Sequence, residues 1–208
     1  MVPIHEIRVG PLRYQTDAKW TQRVLSNPLA LLNDHAHLEK KAASNALDLL
    51  NRWPQNTQGP IWKRWVTELT GVARDEIDHL ATVLRILQRR GGYFDPNHHS
   101  PYAAQLRQLV RLGKGPDELV DRLFVSALIE LRSCERFELL GEHCDDAELG
   151  KLYRGLARSE HGHYLLFVNL AKDFSAVRDV ENRWEQMLDM EAAIILRQPH
   201  GPRMHSRG

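Results

Sequence analysis

The 208-residue chain is long enough to bury a sizeable core, and its 42% hydrophobic content is ordinary for a globular protein. Its 28 basic and 27 acidic residues leave a formal charge of +1, which excludes a uniformly basic nucleic-acid binder. No apolar run reaches the roughly 18 residues that span a membrane. The N-terminus lacks a signal peptide's apolar segment, and Cys134 and Cys144 form no Cys-x-x-Cys pattern, so a cytoplasmic, reducing setting is expected.

Nearly the whole chain reads as helix. Asn27-Pro28 is a start signal, a capping residue followed by proline in the first turn. The first predicted helix runs to about Trp53 and stops at Pro54. Gly59-Pro60 opens the second, which ends at Arg89-Arg90 before Gly91-Gly92. Residues 93–100 read as a loop with a turn at Asp95-Pro96-Asn97. Ser100-Pro101 opens a short helix to about Leu112, and Gly115-Pro116 opens the third long helix, to about His143. Asp145 and Glu148 fit a capping box for the fourth, which ends near Lys172. Ser175 fits the cap of a fifth helix that ends before Pro199. Nothing reads as a strand. The expected architecture is all-α: one domain over 1–208, with a core four-helix bundle over about 27–172 and a C-terminal helix with a basic tail over 175–208.

The chemistry lies in two Glu-x-x-His pairs, Glu76/His79 and Glu160/His163, each matched by a lone Glu on another predicted helix, Glu39 and Glu130. Positions i and i+3 share a helix face, so each pair can bind one metal side by side. The faces are otherwise apolar: Leu32, Ala36 and Ala43 around Glu39, for example, and Leu156 and Phe167 around Glu160. An isolated ionised carboxylate on such a face is very costly, and a shared cation removes that cost. Two divalent ions balance four carboxylates and leave both imidazoles neutral. This is the ligand inventory of a carboxylate-bridged dinuclear site in a helical bundle, suited to two iron ions, or to manganese.

The register supports the set. Glu130 lies fifteen residues before Asp145 and Glu160 fifteen after, so an antiparallel hairpin brings them to one height. Glu135 is the rival, offset by about 7 Å along the axis. Composition alone predicts about 0.7 Glu-x-x-His matches by chance, so the weight rests on the order and the apolar faces. His35, His37 and His161 flank ligand positions but are expected at the surface or just outside the ligands. Cys134 reads as a small core residue. The basic run Arg197–Arg207 has the composition of a solvated, disordered terminus, and its alternative is contact with phosphate.

The words around the ligands resemble a known family. Residues 34–43 (Asp-His-Ala-His-Leu-Glu-Lys-Lys-Ala-Ala) are similar to the first-helix motif of the tRNA hydroxylases called MiaE. Residues 129–137 (Ile-Glu-Leu-Arg-Ser-Cys-Glu-Arg-Phe) and 159–164 (Ser-Glu-His-Gly-His-Tyr) resemble its third- and fourth-helix motifs, and Arg203-Met204-His205-Ser206 its C-terminal segment. The second-helix string Asp75-Glu76-Ile77-Asp78-His79 departs from that pattern beside its ligands. The resemblance implies a ferritin-like, non-haem di-iron monooxygenase. Such an enzyme hydroxylates the isopentenyl group of a methylthiolated adenosine beside the tRNA anticodon, using O2 and an electron-donating reductase. It implies Glu39, Glu76, His79, Glu130, Glu160 and His163 as the catalytic metal ligands, with bridging shared by Glu76 and Glu130 or Glu160. It also implies tRNA contacts drawn from Arg89, Arg90, Arg132, Arg136, Arg197, Arg203 and Arg207, with Arg132, Arg136 and Arg203 foremost. A monomer with no membrane attachment is expected. The same ligands would also serve a ferritin-like iron-handling protein, a ferroxidase or peroxide scavenger, and a non-enzymatic helical module would carry the motif by coincidence.

Overall fold

The computed structural model describes residues 10–53, 59–173 and 179–208. Among these, the chain forms seven helices and no strand: α1 Lys19–Leu25, α2 Pro28–Leu50, α3 Pro60–Arg89, α4 Pro101–Arg107, α5 Pro116–His143, α6 Ala147–Asp173 and α7 Val180–Leu196. Proline opens α2, α3, α4 and α5, where its fixed φ suits the first turn and its missing N–H costs nothing. The expected Pro54 stop and Ser175 cap lie outside the described residues.

The chain divides into two compact units. One, Pro28–His99, is built on α2 and α3 packed side by side. Leu32, Ala36, Ala43 and Ala46 of α2 and Leu69, Val72, Ala73 and Val83 of α3 are buried. α2 ends three residues earlier than expected, because Asn51 and Arg52 turn back onto the carbonyls of Asp48 and Leu49. α3 ends as the sequence reading requires. Gly91 takes a positive φ of 81°, its N–H bonds the Gln88 carbonyl at 3.0 Å, and the Gly92 N–H bonds that of Leu87 at 2.9 Å. That reverse pairing is the Schellman stop.

The loop after α3 is tied to α2. His37 donates from Nε2 to the Asp95 carbonyl at 2.6 Å, and its ring stacks on Phe94 and His98 with centroids at 4.0 and 4.4 Å. His98 donates from Nε2 to Asp34 at 2.7 Å and accepts from Lys41 at 2.9 Å. Asp34, His37 and Lys41 follow i, i+3, i+7 spacing, so one stripe of α2 holds this loop.

The second unit joins the residues before Pro28 to those from Ser100 onward. Its centre is α5, buried almost all round, as a helix covered by neighbours on every side must be. α5 and α6 are joined by only three residues and therefore run antiparallel. Their junction corrects one expectation. The cap of α6 is Asp146, not Asp145: its Oδ1 accepts from the N–H groups of Glu148 and Leu149 at 3.0 and 3.1 Å. α4 is shorter than expected because Gln108, Leu109 and Val110 pair with carbonyls three residues back, tightening the last turn.

The C-terminal tail is also corrected. Composition favours a disordered terminus, yet Met204, His205 and Ser206 are buried. The Trp20 indole N–H donates to Ser206 Oγ at 3.0 Å, and Arg136 donates to the Ser206 carbonyl at 3.1 Å. His205 lies against Tyr102 and 3.2 Å from Ser133 Oγ. A charge count sees only the three Arg of this segment; the Met-His-Ser anchor between Arg203 and Arg207 is what docks.

Candidate metal centre

Each unit carries one Glu, Glu, His triad. In the α2–α3 pair, Glu39 and Glu76 are buried and His79 is partly so. One donor atom from each lies within 4.8 Å of the others. His79 Nδ1 stands 3.6 Å from Glu39 Oε2 and 3.6 Å from Glu76 Oε2. In the α5–α6 pair, Glu130, Glu160 and His163 are all buried, with donor atoms again within 4.8 Å of one another. His163 Nδ1 is 3.4 Å from Glu160 Oε2. All six residues expected as ligands thus fall into two groups of three.

The donor sets fit metal. A gap of 3.4–3.6 Å is too long for a good N–H···O hydrogen bond. Two donors about 2.1 Å from one octahedral cation stand about 3 Å apart, which small side-chain adjustments reach from here. Two carboxylates and a neutral imidazole carry −2 per triad, which one divalent cation balances. Imidazole with carboxylate oxygen suits iron and manganese better than soft, thiolate-seeking metals.

The neighbours are distinct from the ligands. Glu135, the rival to Glu130, is engaged elsewhere: its oxygens accept from the Thr16 N–H at 2.6 Å and the Thr16 hydroxyl at 2.9 Å, and from Arg132. Cys134 is a core residue whose Sγ lies 3.2 Å from the Ala157 carbonyl. Burial, with nearby Glu138 and Glu160, pushes its thiol far above the ordinary range, so it is inert as a thiolate. His161 is half-buried near Tyr164. His35 is not at the surface. It is 0% exposed, with Nε2 2.5 Å from Glu39 Oε1. The four-residue spacing of His35 and Glu39 is the signal that finds it, since i and i+4 share a face.

Two of the three arginines expected foremost at tRNA are corrected. Arg132 and Arg136 are both 0% exposed. Arg132 makes a two-point bridge to Glu191 on α7, at 2.9 and 2.8 Å, and donates to the Tyr14 carbonyl at 3.0 Å. Burial works against its charge, but Glu135 and Glu191 outweigh that and raise its pKa. Arg136 lies over the Trp20 ring, 4.2 Å from the centroid. Both tie α1, α7 and the tail to α5, so neither presents a donor to a nucleic acid. Glu191, which sequence reasoning missed, also accepts from the Tyr102 hydroxyl at 2.8 Å. Arg203 is exposed.

A family model described as tRNA-(MS[2]IO[6]A)-hydroxylase (MiaE) matches residues 4–206. A tRNA 2-(methylsulfanyl)-N(6)-isopentenyladenosine(37) hydroxylase of Pseudomonas putida is 38% identical over 191 residues, 92% of this chain and 89% of that protein. One of the same name from Salmonella typhimurium is 31% identical over 173 residues, covering 83% of this chain and 60% of that longer protein. Among solved structures, protein 43 with aldehyde deformylating oxygenase activity from Synechococcus superposes with a TM-score of 0.83 at 33% identity, over 95% of this chain and 96% of that one. This likeness carries the ferritin-like fold of di-iron proteins.

Proposed function

This chain belongs to the MiaE family of tRNA hydroxylases, and on that premise we propose that each of its two triads holds one iron ion. The enzyme is an O2-dependent hydroxylase acting on the isopentenyl group of 2-(methylsulfanyl)-N6-isopentenyladenosine at position 37 of tRNA. The observation that carries the reading is the pair of Glu, Glu, His triads, buried but for the half-buried His79, with imidazole-to-carboxylate gaps of 3.4–3.6 Å. Iron held there supplies the redox chemistry: R–H, O2, two electrons and two protons give R–OH and water, with the electrons from an external reductase.

The protein's own residues do the rest. Glu39, Glu76 and His79 hold one ion, and Glu130, Glu160 and His163 the other. Buried Val72 and Val83 on α3, Ala127 on α5, and Leu156 and Phe167 on α6 flank the ligands and keep water from them. The target base lies in a loop, where it can be splayed out of its stack. Phosphate contacts fall to the remaining expected set, Arg89, Arg90, Arg197, Arg203 and Arg207, with exposed Arg203 foremost. No helix among the described residues is long and apolar enough to cross a membrane, which is compatible with a cytoplasmic monomer meeting its tRNA directly.

The test is nucleoside analysis of bulk tRNA from cells with and without this gene. Loss of the hydroxylated nucleoside with accumulation of its unhydroxylated precursor is expected, restored by the wild-type gene and not by Glu130→Ala. An unchanged profile in cells that make the precursor would refute the activity.

A further inference from the structure

The two oxygens of Glu39 face different partners. Oε2 is turned to His79 Nδ1, 3.6 Å away, within the triad. Oε1 lies 2.5 Å from Nε2 of His35, four residues earlier on the same helix and 0% exposed. An ionised carboxylate can only accept, so the Nε2 position of His35 carries the proton. A hydrogen bond to an ionised acceptor is among the stronger kinds in a protein, and stronger still away from water.

We infer that His35 is a positioning residue for the metal centre: its Nε2–H occupies Oε1 and so restricts Glu39 to binding a cation through Oε2 alone. This rests on the metal-centre reading given above. Two consequences distinguish it from packing. A carboxylate held by one oxygen takes one coordination position, whereas a chelating carboxylate takes two and closes a position that a reaction with O2 needs open. The hydrogen bond also fixes the carboxylate plane, which a free Glu side chain would have to order on binding metal. His35 serves Glu39, while Asp34, His37 and Lys41 hold the loop after α3.

The experiment titrates metal-free wild-type protein, His35→Ala and His35→Gln with Mn(II) by calorimetry, and with Co(II) by its visible absorption. Glutamine keeps an N–H at the reach of Nε2. Wild type is expected to bind two ions. In His35→Ala one of the two sites weakens 10- to 100-fold, the usual cost of losing a hydrogen-bond partner to a metal ligand. Its Co(II) spectrum changes, the other site holds, and His35→Gln recovers most of the loss. Wild-type affinities and spectrum in His35→Ala would overturn the inference, as would a His35→Gln variant no better than alanine. Should His35→Ala not fold, His35→Gln against His35→Met, similar in size but with no donor, decides the same way. A wild-type protein that binds neither ion would sink the metal-centre reading itself, and this inference with it; that result is distinct from an unchanged His35→Ala.

Discussion

Glu76→Gln should raise the stability of the metal-free protein and lower that of the metal-bound one. Glu39 and Glu76 are buried, with donor atoms within 4.8 Å of each other. At an effective dielectric constant of about 20, two unit charges at that separation repel by about 3.5 kcal/mol. Glutamine keeps the shape of the side chain and removes the repulsion, so a gain of about 3.5 kcal/mol is expected in chelator. For a chain of this size each kcal/mol moves Tm by about 2–4 °C, giving an upshift of about 7–14 °C. With metal the order reverses. At a thousandfold excess over Kd, wild type gains about 4 kcal/mol by mass action. The variant loses one carboxylate ligand and gains much less. Thermal melts of both proteins, in chelator and in Mn(II), read the two orders directly. If Glu76→Gln melts below wild type in both conditions, with equal metal shifts, then Glu76 is a packing or hydrogen-bonding residue and the electrostatic account of the triad is wrong.

Other substitutions test how the unit around α5 is held. Arg132→Met leaves the Glu191 carboxylate buried with the Tyr102 hydroxyl as its remaining side-chain partner among the described residues, and breaking such a pair costs about 3–5 kcal/mol. The double variant Arg132→Met/Glu191→Leu should recover much of that in urea unfolding, and no recovery would show that the charges themselves are not the cause. Asp146→Ala removes the α6 cap and should cost about 1 kcal/mol, while Asp145→Ala should be near neutral; equal effects would reject the cap assignment. Asp121 accepts from Arg111 and Arg183. Burial pushes its carboxyl up, but these two partners more than offset that and hold it below its ordinary 3.8. Because its folded pKa is depressed, its contribution is present above the unfolded value and lost as pH falls through the folded one. Wild type should therefore lose more stability than Asp121→Asn as the pH falls below about 4, and parallel acid limbs would contradict this.

What the sequence disclosed, and what it hid, divides along physical lines. The triads were legible because burying four carboxylates and two imidazoles on apolar helix faces has few explanations, and because i, i+3 spacing is a local property of one helix. Helix starts were legible for a similar reason, since proline and glycine act within one turn. Asp146 was missed for Asp145 because two adjacent aspartates offer the same chemistry, and only the path of the chain decides which oxygen faces the free N–H groups. Arg132 and Arg136 were misread for a deeper reason. An arginine on a functional helix suggests phosphate until its partner is known, and Glu191 lies fifty-nine residues away on another helix. The same holds for the tail, whose anchors are Trp20, Ser133 and Arg136, far from it in sequence. His35 was expected either at the surface or just outside the ligands, and it takes the second place. Its spacing from Glu39 places both on one face, so a residue judged only as a neighbour of the ligands could have been read as holding one of them. In this chain, the two triads were found through local periodicity, whereas the residues that hold α1, α7 and the tail required tertiary pairing. The surface left for tRNA is consequently smaller than charge counting suggests, and Arg203 is the residue of the original three that still faces solvent.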